Sequence, residues 1–331
     1  MKQTAKAPAN IAFIKYWGKS DAALRLPLND SLSMNLSGAY TVTTVKFSRD
    51  VKKDEVTLLG GEFSDAEVSR VVEGLDRIRV RAGVEHRARV VTKNTFPKGA
   101  GSAASASGFA ALTLAGFASL GVQMTEKELT IFARLGSGSA CRSIPDGFVV
   151  WEQGKDSETS YAYSLFSPTY WDIRDILVIV DKRMKKVSTT EGMETITTSP
   201  HLHSRLEAVP LRMEQIKQAI REKNFTQFGE IVEEDCLDMH RVMQTQSPPL
   251  RYWNETTERV MSAVKNWRNG GGSNEGLPVY FTIDAGPNVH LLCEGKDEAR
   301  LLTMVRTLDG IEEIILNKPA EGARIISEHL F

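Results

Sequence analysis

The sequence predicts an α+β protein built in two lobes, and three observations carry that prediction. The chain has 331 residues, enough for two domains or one large two-lobed globule. Strand-like segments, alternating or continuously apolar, are interspersed with helical stripes, two of which open on capping boxes. Residues 175–181, D-I-L-V-I-V-D, are an apolar run suited to a central strand. The boundary between an N-terminal lobe (1–174) and a C-terminal lobe (175–331) is therefore placed just before it.

The elements follow in chain order. Residues 4–19 have a strand-like centre that ends in Lys15, Tyr16, Trp17 and Lys19. A polar turn at 29–33 precedes 40–47, whose alternation and β-branched residues predict a half-buried strand. Ser64 with Glu67 opens a helix that carries Val68, Val71, Val72, Leu75 and Ile78 on one stripe. A short strand at 87–91 leads to the stretch 97–121. Its first half is almost entirely Gly, Ala and Ser, and its second half is apolar on nearly every side, so a small-residue loop runs into a buried helix. Thr125 with Glu128 opens another helix, which Gly136 ends, and 148–152 reads as a strand. The second lobe holds helices at 211–221 and 225–243 and a third carrying Val260, Val264 and Trp267. It also holds strands at 278–284, 289–294 and 311–316 and a helix at 299–308.

Composition narrows the function classes. A hydrophobic fraction of 41% and a charged fraction of 25% are those of an ordinary soluble protein. A net charge of -1 gives no reason to expect nucleic acid or a membrane as partner, so any phosphate-binding charge must be local. Cys141, Cys236 and Cys293 are odd in number and far apart, which argues against a disulfide framework or a zinc knot. They read as free thiols in a reducing compartment. The apolar run 11–14 is too short for a secretory signal, so the expected location is cytoplasmic.

Three stretches stand out. The loop at 97–108 is either an anion cradle at a helix start or a tight turn into a core helix, and composition leaves both open. It is not a Walker A loop, because no Lys-Ser/Thr pair follows its glycines. Gly99, Gly101 and Ala104 fit the dinucleotide fingerprint, but no acidic residue follows a second strand at the expected distance, which makes a dehydrogenase a poor runner-up. The stretch 136–147, G-S-G-S-A-C-R-S-I-P-D-G, sets Arg142 among small residues, where it needs an anion: a protein carboxylate, or a substrate's carboxylate or phosphate. In 281–288, F-T-I-D-A-G-P-N, Asp284 ends an apolar strand. From there it either caps the turn or projects into a cleft. A basic-hydroxyl loop, 182–193, is either solvated or phosphate-holding, and His240 reads as packed or exposed rather than catalytic. Together these parts would suit phosphoryl transfer, which asks mainly for positioning and charge neutralisation.

N-I-A-F-I-K-Y-W-G-K (10–19), the loop 97–108, G-S-G-S-A-C-R-S (136–143), K-K-V-S-T-T-E-G-M (185–193) and F-T-I-D-A-G-P-N (281–288) resemble the signature segments of the mevalonate diphosphate decarboxylase family. That family lies within the GHMP kinase superfamily. The segments occur in the family's order and cover nearly the whole chain. The resemblance implies a GHMP-kinase fold: an N-terminal ribosomal-protein-S5-domain-2-like domain with a left-handed βαβ unit, a C-terminal ferredoxin-like domain and an active site between them. It implies ATP and Mg²⁺ as cofactors, mevalonate 5-diphosphate as substrate, isopentenyl diphosphate as product, and a homodimer.

Carried onto this chain, the resemblance makes Asp284 the aspartate facing the substrate hydroxyl, as base or orienting group. A carboxylate among cations should have a depressed pKa, which makes a weak base. Lys15 becomes the lysine near hydroxyl and carboxylate, and Arg142 the carboxylate-holding arginine. Tyr16, Lys19 and Ser139 join Arg142 in the substrate pocket. Ser105 becomes the contact to ATP phosphates and metal, and Lys185, Ser188 and Thr189 the loop over the γ-phosphate. Lys98, Gly99, Ala100, Gly101 and Ser102 complete the nucleotide loop. The family loop usually reads P-T-A-A-G-L-A-S-S; Lys98, Ser102 and Ala104 depart from it, and Thr189 replaces a common serine. The nearest rivals are a decarboxylase of the 5-monophosphate, a 3-kinase without decarboxylation and a nucleotide sensor.

Overall fold

The structure is a computed structural model that describes residues 1–97, 104–183, 187–271 and 276–331. The loop residues Lys98, Gly99, Ala100, Gly101 and Ser102, and Lys185, fall outside the described residues.

The first sheet is organised around two long strands, β1 (Lys2–Ile14) and β4 (Ser31–Ser48), which pair antiparallel along most of their length. A small hairpin, β2 (Lys19–Asp21) with β3 (Leu26–Pro27), interrupts them. β4 is far longer than its alternating half suggests. The expected polar turn at 29–33 gives way to strand from Ser31, and Ser31 and Ser33 are buried. This end of β4 pairs on both sides, with β1 and with β7 (Phe148–Trp151), which satisfies its backbone. The other end pairs with β6 (Arg87–Asn94), which runs parallel to β5 (Glu55–Leu59). Helix α1 (Asp65–Ala82) joins that parallel pair as a βαβ unit, and its Ser64–Glu67 capping box is formed as its sequence predicts. Against this sheet lies α2 (Ala104–Ser119), buried on nearly all sides, with α3 (Glu126–Gly136) beside it. The small-residue stretch that follows is a 3-10 helix, Gly138–Ser143, rather than an open loop. β8 (Ala162–Phe166) extends β7.

The second sheet starts with β9 (Ile173–Ile179). After it come the single turn α4 (Thr189–Gly192) and the long helices α5 (Leu202–Glu222), α6 (Phe225–Thr245) and α7 (Glu255–Arg268). β10 (Tyr280–Thr282), β11 (Val289–Glu294), α8 (Glu298–Val305) and β12 (Glu313–Asn317) complete it. The order β10-β11-β9-β12, antiparallel throughout, is the ferredoxin-like arrangement of strands second, third, first and fourth. α5 begins earlier than its stripe predicts and runs through Pro210, which would be expected to start it instead. Arg205, in the segment ahead of Pro210, is fully buried in ion pairs with α6, which anchors the extra turns.

One face of the second sheet packs on α6, α7 and α8 through Ile176, Val178, Cys236, Val260, Val264 and Leu301. The other meets the first lobe: Ile173, Tyr280 and Leu292 share a core with Ile11, Phe13, Leu32 and Phe148. Phe13 stands edge-on to Phe228 of α6 at 4.8 Å between centroids. The chain then returns to the first sheet, where β13 (Arg324–Ile326) pairs with β1. The end of β1 thus lies between the lobes, and the cleft opens there.

Candidate active site

A cleft of about 550 Å³ lies between the lobes, and Lys15, Tyr16, Lys19, Ser105, Ser139, Arg142, Ser188, Thr189 and Asp284 all line it. They come from five separate segments, brought together because β1 ends where β10, the 3-10 helix, α2 and α4 converge.

The side chains of β1 and of the residues just past its end divide between the two lobes. Asn10 and Tyr16 turn toward the first lobe, against Arg142 and Trp151, while Phe13 and Lys15 turn toward the second. Gly18 takes φ +107°, a conformation open to glycine, and swings the chain so that Trp17 is buried and Lys19 reaches the cleft.

The centre of the site is an ion pair. Lys15 Nζ lies 2.7 Å from Asp284 Oδ1, with the lysine side chain 1% exposed and the aspartate 28%. Asp284 does not cap its own turn with its carboxylate; its backbone carbonyl accepts from the Gly286 amide, and the carboxylate is left for the cleft. The turn is held from outside, by Asn288 Oδ1 on the Val180 amide and by Thr257 Oγ1 on the Pro287 carbonyl. Burial pushes the Asp284 carboxyl up, but Lys15, His290 and Arg142 outweigh it and hold it below the ordinary carboxylate value.

Arg142 is buried, yet its guanidinium meets neutral acceptors. Nη1 donates to Ser31 Oγ at 2.8 Å, and Nη2 and Nε donate to Asn10 Oδ1 at 3.1 and 3.3 Å. Among the described residues no carboxylate forms an ion pair with it, so the protein-carboxylate alternative is not what the fold builds. Burial lowers its pKa, with Cys141, Asp284 and Tyr16 opposing. A buried cation held by neutral groups and opening on a cleft is suited to a ligand anion.

In the same cleft Lys19 is joined by Arg25 and Arg70, which sequence reasoning missed. Arg25 sits in the left-handed region at φ +51° and ties Nε to the Leu135 carbonyl at 2.9 Å. Arg70 reaches the Gly136 carbonyl at 3.0 Å. Burial lowers the pKa of Lys19, Arg25 and Arg70, and their proximity lowers Lys19 and Arg70 further through Arg25. Tyr16 packs on Trp151 and against Gly138, where an added Cβ would stand 2.8 Å from the ring. Burial raises the Tyr16 hydroxyl's pKa, so it stays a neutral donor.

Hydroxyls line the cleft as well, Ser105 close to Arg70. Ser105, in the first turn of α2, is exposed and lies 3.0 Å from Ser137 Oγ. Ser188 caps α4 through the Glu191 amide at 3.2 Å. Beside Ser105 a second, mostly apolar pocket of about 100 Å³ is walled by Val56, Phe63, Val71, Val90, Phe109 and Leu112. It shares Ser105 and Arg70 with the cleft. His240, expected to be packed or exposed, is buried on α6 with Nε2 3.3 Å from the Ile283 carbonyl. Burial drives its pKa down to about 3.

Known proteins give this arrangement a family. The Diphosphomevalonate decarboxylase-like N-terminal domain matches residues 7–162, and the Mevalonate 5-diphosphate decarboxylase C-terminal domain matches residues 176–323. The chain is 35% identical to diphosphomevalonate decarboxylase of Bos taurus, over 92% of this chain and 79% of that protein. It is similar in structure to mevalonate diphosphate decarboxylase of Staphylococcus aureus, with TM-score 0.91 and 38% identity, covering 98% of each chain. It is likewise similar to MDDEF in complex with MVAPP, AMPPCP and magnesium, with TM-score 0.91 and 35% identity, covering 98% of this chain and 99% of that one. The mevalonate diphosphate decarboxylase from Enterococcus faecalis, described for mevalonate diphosphate mediated ATP binding, matches at TM-score 0.90 and 35% identity, covering 98% and 99%. With both of its halves matched and relatives this similar over most of their length, the chain belongs to the diphosphomevalonate decarboxylase family.

Proposed function

We infer that the chain catalyses the ATP-dependent decarboxylation of mevalonate 5-diphosphate to isopentenyl diphosphate. The observation that carries this reading is the Lys15–Asp284 pair, 2.7 Å apart, facing the same cleft as an Arg142 that lacks a carboxylate partner among the described residues. A tertiary alcohol is a poor leaving group. MgATP, when bound, supplies the phosphoryl group that makes that oxygen leave. Asp284 orients the hydroxyl and accepts its proton; with a lowered pKa it acts more by orientation than by basicity. Lys15 stands by the oxygen and offsets the negative charge gathering there. Arg142 holds the carboxylate; as the C–O bond breaks and phosphate leaves, the electrons of the C–C bond to that carboxylate form the alkene and carbon dioxide departs. Tyr16, Lys19 and Ser139 hold the diphosphate end, with Arg25 as a further cation, while Arg70 stands between that end and Ser105.

The donor set fits the nucleotide. Ser105 offers a hydroxyl at the start of α2, and the described residues contain no cluster of three or more acidic, His or Cys groups able to hold a metal. Mg²⁺ would therefore rest mainly on phosphate oxygens, as it commonly does, with Ser105 contributing. Ser188 and Thr189 would close on the γ-phosphate, and the apolar pocket beside Ser105 suits the adenine. No helix among the described residues is long and apolar enough to cross a membrane. Three buried free thiols support a cytoplasmic location. The division at 174/175 and a homodimer belong to the same reading, the dimer on family resemblance alone.

The test is incubation with ATP, Mg²⁺ and the mono- or diphosphate of mevalonate, following carbon dioxide and ADP together. Equimolar release from the diphosphate is expected. ADP without carbon dioxide would make the protein a kinase, preference for the monophosphate would change its substrate, and neither product would make it a sensor.

A further inference from the structure

Lys15 follows the last residue of β1, where the ladder to β4 has ended at Ile14 and Leu32. Its backbone groups must find partners elsewhere, and the second lobe supplies charged ones. The Lys15 amide donates to Asp235 Oδ2 at 2.7 Å, and the Lys15 carbonyl accepts from Arg205 Nη2 at 3.3 Å. A third bond, from Asn29 Nδ2 at 3.1 Å, comes from the first lobe. The Asp235 and Arg205 side chains are both 0% exposed. They meet in two bonds, Nη1 to Oδ1 at 3.0 Å and Nη2 to Oδ2 at 3.1 Å. Arg212, two turns on along α5, and Asp238, one turn on along α6, close the network: Arg212 Nη1 lies 3.5 Å from Asp235 Oδ1 and 2.6 Å from Asp238 Oδ2.

The same helix holds the other half of the ion pair. Cys236, next to Asp235, accepts the Ile283 amide at 3.2 Å, and His240, one turn on, lies 3.3 Å from the Ile283 carbonyl. Ile283 immediately precedes Asp284. α6 therefore grips the backbone on both sides of the 2.7 Å contact between Lys15 and Asp284.

We propose that Asp235, together with Arg205, is a positioning residue of the reaction, placing the Lys15 ammonium against Asp284 and the substrate oxygen by holding the Lys15 backbone. The proposal rests on the reading of Lys15 and Asp284 as the reacting centre. A buried ion pair is a weak device for stability, because desolvation offsets much of its attraction. What it does supply is direction, here spent on both backbone groups of one residue across the lobe boundary. Misplacing a reacting group by about 1 Å costs on the order of 10²-fold in rate.

The test is Asp235→Asn, which keeps the side chain's shape and removes the charge facing Arg205, made both in the wild type and in Lys15→Ala. In the wild type, kcat falls about 10- to 100-fold while KM for mevalonate 5-diphosphate and for ATP stays within about threefold. In the Lys15→Ala background the same change lowers kcat by less than about twofold, since no ammonium remains to be misplaced. Equal fractional losses in both backgrounds would mean a merely structural role and overturn the proposal, as would an unchanged kcat in Asp235→Asn alone. Should that variant fail to fold, Arg205→Lys serves in the same cycle. It keeps the charge beside Asp235 but gives up the second arm to the Lys15 carbonyl, and the same pattern of losses is expected. Wild-type kcat in Lys15→Ala by itself would sink the reading of the reacting centre and, with it, the positioning role, whereas a loss there with no loss in Asp235→Asn would overturn the positioning role alone.

Discussion

The two ends of the cleft are built differently. At the acceptor end Lys15, Asn10 and Arg142 are almost wholly buried, come from a strand end and a tight 3-10 helix, and are each tied by hydrogen bonds to groups in fixed elements. At the proposed nucleotide end the candidate contacts are exposed hydroxyls at helix starts, Ser105 on α2 and Ser188 on α4. Groups locked before substrate arrives can favour the transition state, whereas loosely held ones contribute mainly to binding. Changes at the acceptor end should therefore cost turnover, and changes at the nucleotide end should cost affinity for ATP.

The largest effect is expected at Asp284. Asp284→Asn keeps the size of the side chain and removes its charge, so kcat should fall by about 10³-fold or more while an ATP analogue still binds within about threefold. Near-normal turnover in steady-state assays would remove Asp284 from the centre of the site. Its surroundings also fix a pH dependence. The folded-state carboxyl lies below its ordinary value of 3.8, so its ionised form is present above that value and is lost as the pH falls through the lower folded one. Stability from the Lys15–Asp284 pair is lost over the same interval. Removing the ammonium with Lys15→Ala should move the acid limb of kcat/KM to higher pH. An acid limb in the same place would show that Lys15 does not set the ionisation of Asp284.

Next comes Arg142→Ala. Because neutral Asn10 and Ser31 hold this guanidinium, its removal strands no protein carboxylate that the structure shows, and the fold should tolerate it better than loss of a paired arginine. Carbon dioxide release should drop about 100-fold, through kcat or through KM for the diphosphate substrate. Wild-type kinetics would mean that Arg142 serves the packing of Asn10 and Trp151 alone.

Much of the acceptor end was legible in the sequence because strand ends carry their chemistry in short, unusual strings. Lys15 follows an apolar strand, Arg142 sits among residues too small to hide it, and Asp284 precedes a Gly-Pro turn. Arg25 and Arg70 were not legible in the same way. Arg70 lies on a capped amphipathic helix where an arginine looks like ordinary solvated surface, and its place in the cleft depends on how α1 and the β2–β3 turn both reach the end of α3. Arg25 depends on a left-handed backbone that its residue type does not announce. The Asp235–Arg205 network was hidden for a related reason: charges on two long helices read as exposed until the helices are packed face to face. In the fold, β13 and the full length of β4 escaped notice because their pairing is non-local, and a polar Ser31 is buried by partners that sequence periodicity does not reveal. The loop at 97–108, with the largest departures from the family pattern, extends into residues 98–103, outside the described structure.

The smallest effect separates the two ends most sharply. Ser188 is exposed and its hydroxyl caps the single-turn helix α4, while Thr189 and Thr190 face the cleft beside it. Ser188→Ala removes both the cap and a candidate phosphate contact. Loss of a cap costs about 1 kcal/mol, which corresponds to roughly a fivefold change in an equilibrium constant. Because α4 carries the hydroxyls that face the cleft, loosening it weakens ATP binding. KM for ATP should rise about two- to fivefold, with kcat within about twofold of the wild type. Ser188→Thr, which keeps a capping hydroxyl, should recover most of the loss. Initial-rate measurements at varied ATP concentration decide the matter. A 100-fold fall in kcat in the alanine variant would show that the nucleotide end is as rigidly committed to the transition state as the acceptor end, and the contrast between them would be gone.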